Sequence, residues 1–254
     1  MTLPATPSFR LDGRTALVAG ASSGIGAAAA VALAEAGAEV WLAARRAAEL
    51  EALAAALAAA GHKAHALPLD IADIKATEAA LASLPPFGIL VNSAGLARHS
   101  AALDTTPEDF DAAAGLNFRA AYFLTRAVAG RLIAAGKPGS LINITSQMAH
   151  VGGIDRAVYA ATKHAVEGMT KSMAIEWGRH GIRVNTIAPT FIRTALTTET
   201  FANPERARWI EDKIKLGRIG EVTDIMGPVV FLASDAAALI TGTSLIVDGG
   251  WTAD

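Results

Sequence analysis

The amino-acid sequence predicts an open α/β fold, in which helices cover both faces of a seven-stranded parallel sheet. Short runs of β-branched and aliphatic residues alternate with longer helical patterns along the whole chain. Such alternation is typical of parallel sheets built from strand–helix–strand units. The strand-like runs are continuously apolar rather than alternating, which is typical of strands buried on both faces. A doubly wound sheet satisfies both observations.

Seven segments fit the strand pattern: residues 15–19, 39–43, 64–69, 89–92, 140–145, 183–187 and 244–247. Between them lie helical patterns such as residues 49–60, which place Leu50, Leu53 and Leu57 on one stripe before Gly61, a typical helix-ending residue. No linker, low-complexity tract or internal repeat divides the sequence, so we expect residues 1–254 to form one domain. Residues 189–220 are long for a simple connection and are expected to form a substrate lid.

The composition excludes several function classes. Hydrophobic residues make up 52% of the 254 and charged residues 18%, which favours a packed core over disorder. A net charge of −2 argues against a nucleic-acid surface and against a polybasic membrane anchor. The absence of cysteine excludes disulfides, thiolate nucleophiles and cysteine-bound zinc, and we expect no metal site. No apolar run suits a signal peptide or a membrane span, so a cytoplasmic protein is expected.

A glycine-rich turn follows the first predicted strand directly. It comprises Gly20, Ala21, Ser22, Ser23, Gly24, Ile25 and Gly26. Glycines there permit a tight turn and a close approach of the backbone to a pyrophosphate, and the N-terminus of the next helix offers free N–H groups to that anion. The position between the first strand and the first helix predicts a dinucleotide site, and a purely structural turn is the alternative.

The end of the second predicted strand bears on the choice of cofactor. It reads Ala43-Ala44-Arg45-Arg46, without a carboxylate. An acidic residue at this point binds the ribose 2′-hydroxyl of NAD, whereas a cation accommodates the 2′-phosphate of NADP. The sequence therefore favours NADP(H) with Arg45 as its principal anchor and NAD(H) as the alternative. The two arginines could instead be a solvated helix start, where the positive end of the dipole is unfavourable for them.

Asp70 ends the third predicted strand and allows two interpretations. Its carboxylate could accept from the adenine amino group, or it could cap the following helix.

Tyr159 and Lys163 are four residues apart, so they share one face of a helix. An ammonium beside a phenol favours the phenolate and is expected to lower the pKa of Tyr159 from about 10 toward a range useful for general acid–base catalysis. Ser146 closes a predicted strand, where its hydroxyl could hydrogen-bond the reacting oxygen. Taken alone, Tyr159 and Lys163 could be an ordinary surface pair.

Together these motifs resemble the short-chain dehydrogenase/reductase family over essentially the whole chain. The resemblance is carried by the glycine turn, Asn92-Ser93-Ala94-Gly95, Asn117, Ser146, Tyr159 and Lys163, in this order. It implies a Rossmann fold and hydride transfer between a nicotinamide and a ketone or secondary alcohol. It further implies that Tyr159 exchanges the proton, that Lys163 also holds the nicotinamide ribose, and that Asn117 supports Lys163 through a water.

The resemblance also implies further cofactor contacts. These are Ile71, Asn92, Ala94, Gly95, Pro189, Ile192 and Thr194, beside the glycine turn, Tyr159 and Lys163. The chain departs from the family pattern at Ala19, Ser93 and Thr190, where the family usually has threonine, asparagine and glycine. These departures affect the cofactor geometry rather than the group that transfers the proton.

The substrate pocket is expected between the loop after Ser146, the residues after Gly95 and the lid. Its candidate polar residues are His99, Gln147, His150, Arg156, Arg193 and Trp209, of which Gln147, His150 and Arg193 are predicted to contact the substrate. They suit a sugar-derived, polyol or keto-acid substrate, although they could also be surface or subunit contacts. The alternatives are a 3-oxoacyl thioester reductase acting on an acyl carrier protein, an epimerase or dehydratase, and a catalytically silent nucleotide-binding regulator. The intact Ser146, Tyr159 and Lys163 argue against the silent regulator.

A homotetramer is expected from two long helical segments, residues 107–135 and 157–178. Both are rich in small and apolar residues: Ala112, Ala113, Ala120, Ala121, Leu124, Ala165, Met169 and Met173. One sheet can cover only one face of each helix. In the resembling family these helices form a four-helix contact across one two-fold axis, and the last strand and the tail pack across another, which gives a dimer of dimers. A monomer with alanine-rich helices is the alternative.

Overall fold

The computed structural model describes residues 1–253, which form a seven-stranded parallel sheet in the order β3-β2-β1-β4-β5-β6-β7. The strands are β1 (Thr15–Ala19), β2 (Glu39–Ala44), β3 (Ala64–Pro68), β4 (Ile89–Asn92), β5 (Gly139–Ile144), β6 (Ile182–Pro189) and β7 (Ser244–Val247). All seven predicted strands exist, within two residues of the predicted ends. The chain reverses its direction of winding between β1 and β4, and a crevice for ligands opens at such a point.

Helices cover both faces of this sheet, which confirms the predicted doubly wound α/β class. They are α1 (Gly24–Glu35), α2 (Ala47–Ala59), α3 (Ile74–Ala82), α4 (Pro107–Ala114), α5 (Ala121–Ala134), α6 (Ala157–Trp177), α7 (Thr198–Ala202), α8 (Pro204–Lys213) and α9 (Thr223–Ala233). None of the helices described in residues 1–253 is both long and apolar enough to cross a membrane.

The strands send successive side chains to opposite faces, and both faces are buried. In β1, Val18 joins a core with α1, α2 and α9, whereas Leu17 joins a second core with α3, α5 and α6. Both side chains are fully buried. This double burial explains why the strands lack an alternating polar pattern.

The helix predicted over residues 107–135 is broken in its middle by a π-helical turn, Gly115–Ala120. The turn contains Asn117, which the sequence had marked as a site residue. Insertions of this kind are rare and concentrate at functional sites. The periodicity of apolar residues predicted the length of the segment but not this insertion.

Residues 189–220 contain two short helices, α7 and α8, so the segment is more ordered than a loop. Ile210, Ile214 and Ile219 form a small separate core, against which Phe191, Phe201 and Trp251 pack. The backbones of Ile192 and Gly220 pair at the base of the segment. The segment is therefore a compact flap attached at both ends beside the carboxyl edge of the sheet.

Candidate active site

Two adjoining cavities lie at the carboxyl edge of the sheet. The first cavity, of about 380 Å³, extends from the glycine turn to Lys163. The second cavity, of about 350 Å³, lies between the loop after β5 and the flap. Both are lined by Ile25, Thr145, Tyr159, Thr194 and Leu196. Tyr159 therefore stands where the two cavities meet.

The glycine turn leaves no room for side chains at two positions. A Cβ on Gly20, whose φ is +78°, would lie 2.7 Å from the backbone nitrogen of Ala94. A Cβ on Gly26 would lie 2.1 Å from the carbonyl oxygen of Gly20. Such distances are far below van der Waals contact, so both positions require glycine. The turn is thus folded tightly against the start of α1, with its backbone along the first cavity.

Arg45 and Arg46 both line the first cavity, but their surroundings differ. The Arg46 guanidinium donates to the Ser22 Oγ at 2.8 Å and to the Ser23 Oγ at 2.8 Å, and it pairs with Glu49 at 3.3 Å. The structure therefore ties Arg46, rather than Arg45, to the glycine turn. Two serine hydroxyls beside a guanidinium form the kind of donor cluster that binds phosphate.

Asp70 does not cap the following helix, so one of its two interpretations is wrong. Its carboxylate accepts from the Ala72 backbone N–H at 3.0 Å, whereas Asp73 caps α3 by accepting from Ala76. Asp70 and Ile71 line the first cavity, as a contact with an adenine ring requires.

Asn117 holds the strand-end loop after β4 in place. Its amide accepts from the Leu96 N–H at 2.8 Å and donates to the Leu96 carbonyl at 2.9 Å. It also donates to the Thr162 Oγ1 at 3.2 Å. A Cβ on Gly95 would lie 3.2 Å from the Asn117 Oδ1 and 3.6 Å from the Lys163 Nζ, so both side chains converge on Gly95. Asn117 is accordingly a positioning residue.

Ser146, Tyr159 and Lys163 come together although they lie on three different parts of the chain. Ser146 follows β5 and lines the second cavity together with Tyr159, and its Oγ accepts from the Met148 N–H at 3.1 Å. The Lys163 Nζ lies 5.7 Å from the centre of the Tyr159 ring and donates to the Ile144 carbonyl at 3.0 Å. These groups border the wall shared by the two cavities.

The expected lowering of the Tyr159 pKa by Lys163 is not found. Burial raises the pKa of Tyr159 above its ordinary value, and the Ser146 hydroxyl and the nearby Arg156 only partly oppose this. Burial likewise lowers the pKa of Lys163 to about 8, against the opposing charge of Glu167. The protein's own groups thus favour a protonated phenol, because removal of the Tyr159 side chain from water outweighs the opposing effects of Ser146 and Arg156.

The other predicted cofactor residues divide into three groups. Those that line the first cavity are Gly20, Ser22, Ser23, Gly24, Ile25, Ala94, Gly95 and Thr194. Pro189 and Ile192 line the second cavity instead. Gly26 lies beneath the turn, and Asn92 is buried, where it donates to the Asn143 Oδ1 at 3.1 Å.

The second cavity contains only one of the three predicted substrate residues. Gln147 lines it, is 1% exposed, and neither polar atom of its side chain has a hydrogen-bond partner within residues 1–253. His150 does not line it, because its ring turns toward β7 and lies 3.0 Å from the Ser244 Oγ. Arg193 does not line it either, because it pairs with Glu221 at 3.2 Å on the flap. The substrate contacts predicted for His150 and Arg193 are therefore wrong on the geometry.

Of the other polar candidates, His99 and Arg156 line the second cavity, whereas Trp209 lines a neighbouring recess. Several further lining residues were not among the residues predicted from the sequence, namely Leu69, Leu116, Leu196 and Glu199. They reach the cavities through the path of the loops, which no local pattern encodes.

Comparison with known proteins adds the following matches. A family model described as Enoyl-(Acyl carrier protein) reductase matches residues 20–252. D-erythrulose reductase of Gallus gallus is 41% identical over 245 residues, which cover 96% of this chain and 98% of the relative. The 2-dehydro-3-deoxy-D-gluconate 5-dehydrogenase of Escherichia coli is 38% identical over 250 residues, or 97% and 98% of the two chains.

A solved structure agrees with these relatives. A putative 2-deoxy-D-gluconate 3-dehydrogenase from Agrobacterium tumefaciens, with bound NADP, superposes with a TM-score of 0.92 at 43% identity. The match covers 97% of this chain and 99% of the other.

Proposed function

The chain belongs to the short-chain dehydrogenase/reductase family, and from this premise we propose that it interconverts a ketone and a secondary alcohol of a sugar-derived substrate with NADP(H). The observation that carries the proposal is the position of Tyr159 between the two cavities, next to Ser146 and Lys163. A cofactor in the first cavity and a substrate in the second would both reach its hydroxyl. The relatives named above bear the names of sugar reductases and sugar-acid dehydrogenases.

The first cavity fits NADP in its chemistry. The backbone of the tight turn at Gly20 would approach the pyrophosphate beside the N-terminus of α1. Ser22, Ser23 and Arg46 would bind the 2′-phosphate. The strand β2 ends without a carboxylate that would repel this phosphate. The A. tumefaciens neighbour is described with bound NADP. We therefore place the 2′-phosphate against Arg46, with Arg45 at the edge of the same cluster.

The protein's own groups would handle the proton. When bound, the nicotinamide supplies or accepts the hydride. The Tyr159 hydroxyl would donate its proton to the oxygen of the ketone, and the raised pKa of Tyr159 keeps that proton available at neutral pH. Ser146 would orient the same oxygen through its hydroxyl. Lys163 would stabilise the charge that develops on Tyr159 and would contact the ribose, while Asn117 holds the backbone beside it.

Gln147 would contact the substrate once its amide, which solvent does not reach in this structure, turns toward the second cavity. An amide with two unpartnered polar atoms is costly to bury unless a ligand or water completes its hydrogen bonds. A substrate rich in hydroxyl groups provides both donors and acceptors. The flap over residues 189–220 would cover this substrate as a lid, since Thr194, Leu196 and Glu199 already border the second cavity.

We also propose a homotetramer. The proposal is supported by apolar side chains that the fold leaves exposed, and not by the alanine-rich composition of the helices. Ala113, Ala121 and Met169 are buried within the chain's own core, so they do not require a partner. The apolar side chains left exposed on these helices are Phe110, Tyr122 and Ile175. At the edge of the sheet, β7 has an unpaired side and Ile246 is 40% exposed. Two such surfaces would give the two contacts of a dimer of dimers. Light scattering at low micromolar protein should report four chains, and a mass of 26.0 kDa would refute the assembly.

The activity is tested by following the absorbance of the reduced nicotinamide with a panel of ketoses, polyols and sugar acids. We expect turnover with at least one class, and faster turnover with NADP(H) than with NAD(H). Cofactor binding without any turnover across the panel would instead favour a nucleotide-binding regulator.

A further inference from the structure

We propose that Arg156 binds a carboxylate of the substrate, so that the enzyme acts on sugar acids rather than on neutral sugars or polyols. The inference rests on the proposed function and names the substrate class of the same site. Arg156 lines the second cavity with Tyr159, which follows it by three residues at the start of α6.

Arg156 is buried, and it has no ionic partner among residues 1–253. The residue is 7% exposed, and its one hydrogen bond within residues 1–253 runs from Nη1 to the Asp155 carbonyl at 3.4 Å. No carboxylate in that described part of the chain lies within 4.0 Å of its guanidinium. Buried arginines are normally paired, because a guanidinium has five donors and a charge that is costly to remove from water. The Arg156 guanidinium is therefore available to an anion that comes from outside the protein.

A second arginine increases the positive charge around this site. Arg206 on α8 borders a recess that adjoins the second cavity and is also lined by Arg156. Burial first, and then the charge of Arg206, lower the pKa of Arg156. Burial and the same two arginines lower the pKa of His99 to about 4, so this neighbour is neutral at pH 7. The opposing carboxylates are Asp155, next to Arg156 in the chain, the exposed Glu199 at the rim, and Glu205, which lines the recess beside Arg206.

The turn before α6 is shaped to hold the Arg156 side chain at the cavity. Asp155 has a φ of +59°, a left-handed conformation that is unfavourable for a residue with a side chain. A Cβ on Gly153 would lie 3.1 Å from the Arg156 Cγ and 2.9 Å from the Met148 Sδ. The stem of Arg156 thus occupies space that only glycine leaves free. Both features cost conformational freedom, which is expected where a side chain must point into a site.

A carboxylate fits this arrangement better than a hydroxyl group does. The planar guanidinium matches a carboxylate with two parallel hydrogen bonds, and the bond is stronger when both groups are charged. A neutral hydroxymethyl group would leave the charge of Arg156 uncompensated. With the carboxylate on Arg156 and the carbonyl on Tyr159, the intervening hydroxyls would face Gln147.

The test compares substrates that differ in one group. Pentonates and hexonates are paired with alditols of the same carbon number and configuration, and kcat/KM is measured for oxidation with NADP⁺. The wild-type enzyme should prefer the acids by about tenfold or more. Arg156→Gln should lower kcat/KM for the acids about 50-fold more than for the alditols, and the excess loss should appear mainly in KM, because any effect through the pKa of Tyr159 acts on both substrate classes alike. Arg156→Lys should restore part of the loss, because it returns the charge without the fork.

Arg208→Gln is the matched control, because Arg208 is exposed on α8 and lines neither cavity. It removes the same charge and should change neither substrate class. Equal losses for acids and alditols in Arg156→Gln would mean a structural role for Arg156 and would overturn the proposal. The proposal would also be overturned if the wild-type enzyme preferred alditols to sugar acids, or sugar phosphates to sugar acids of the same length.

Calorimetry separates this proposal from the proposed function. The same acids are titrated into the wild-type and Arg156→Gln enzymes loaded with NADP⁺. If the wild-type enzyme binds the acids and Arg156→Gln does not, the carboxylate site is supported. This holds even if no substrate is turned over; in that case only the proposed function fails. Turnover of alditols with no acid binding would leave the proposed function intact and remove the carboxylate site.

Discussion

The two cavities are built by different means. The first is formed largely by backbone: a glycine turn whose two tight positions exclude any Cβ, placed between β1 and α1. The second is formed by side chains from the loop after β5 and from a flap whose small core is separate from the two main cores. A backbone site is specified by a short stretch of sequence, whereas a side-chain site depends on where distant segments meet. The difference suggests that the first cavity determines the cofactor and that the second determines the substrate.

The largest effect should come from Tyr159, one of the five residues that line both cavities. Tyr159→Phe removes the transferable proton but leaves the ring, so kcat should fall about a thousandfold while NADPH affinity stays within about twofold. Single-turnover absorbance and a fluorescence titration measure the two quantities. Tyr122→Phe, which changes the chain's other tyrosine on the surface of α5, should have no effect on either. Near-native kcat in Tyr159→Phe with chemistry rate-limiting would remove Tyr159 from proton transfer.

The next effect tests whether the first cavity depends on backbone packing. In Gly26→Ala the new methyl group would meet the Gly20 carbonyl, so we expect a loss of about 1–3 kcal/mol in unfolding free energy together with weaker NADPH binding. Gly88→Ala is the control, because its Cβ would lie 3.9 Å from the Thr15 carbonyl oxygen, an ordinary contact. Denaturant unfolding gives the stabilities. A tolerated Gly26→Ala with unchanged affinity would contradict the account of the turn.

The same contrast explains what the sequence predicts well. The strands are continuous apolar runs of the chain, and the glycine turn is local, so both could be identified without coordinates. The sequence could not show whether Arg45 or Arg46 is the better candidate for the 2′-phosphate, because this depends on which guanidinium reaches Ser22 and Ser23. The pKa of Tyr159 was misjudged for a related reason. The spacing from Lys163 shows a charge nearby, but it does not show how strongly the surrounding protein excludes water.

The second cavity shows more clearly which features the sequence could not predict. His150 and Arg193 lie in the expected segments, yet Ser244 and Glu221 engage their side chains elsewhere. Arg156 was one of several polar candidates, and its lack of an ionic partner became visible only in three dimensions. Side-chain direction in a turn depends on a few dihedral angles, and no periodic pattern reports them.

A moderate effect should separate the two arginines of the first cavity. Arg46→Ala should weaken NADPH binding about tenfold and leave NADH binding unchanged, because one charge-assisted phosphate contact is lost. Arg45→Ala should have the smaller effect, since it has no comparable link to the serines of the turn. Titration of both cofactors into each variant measures the difference. Equal losses for NADPH and NADH in Arg46→Ala would show that the side chain supports the turn rather than the 2′-phosphate.

The smallest effect concerns the way the flap is attached beside the second cavity. Near the C-terminal end of the flap, Arg218 pairs with Asp224 of α9 at 2.7 Å, and this pairing together with the Glu221 N–H lowers the pKa of Asp224 to about 2. Because the folded pKa lies below the unfolded value of about 4, the carboxylate stabilises the fold above pH 4 and loses that contribution as the pH falls toward 2. Asp224→Asn keeps an acceptor for the Glu221 N–H, removes the charge, and replaces one of the two oxygens that accept from Arg218 with an NH2 group. The difference in unfolding free energy between Asp224→Asn and wild type should therefore be present at pH 7, smaller than that of Gly26→Ala, and absent near pH 2.

Asp212→Asn, at an exposed carboxylate of α8, should show no such pH dependence. A difference that grows on acidification would contradict the assignment, and it would mean that the flap is held by its apolar core rather than by this ion pair.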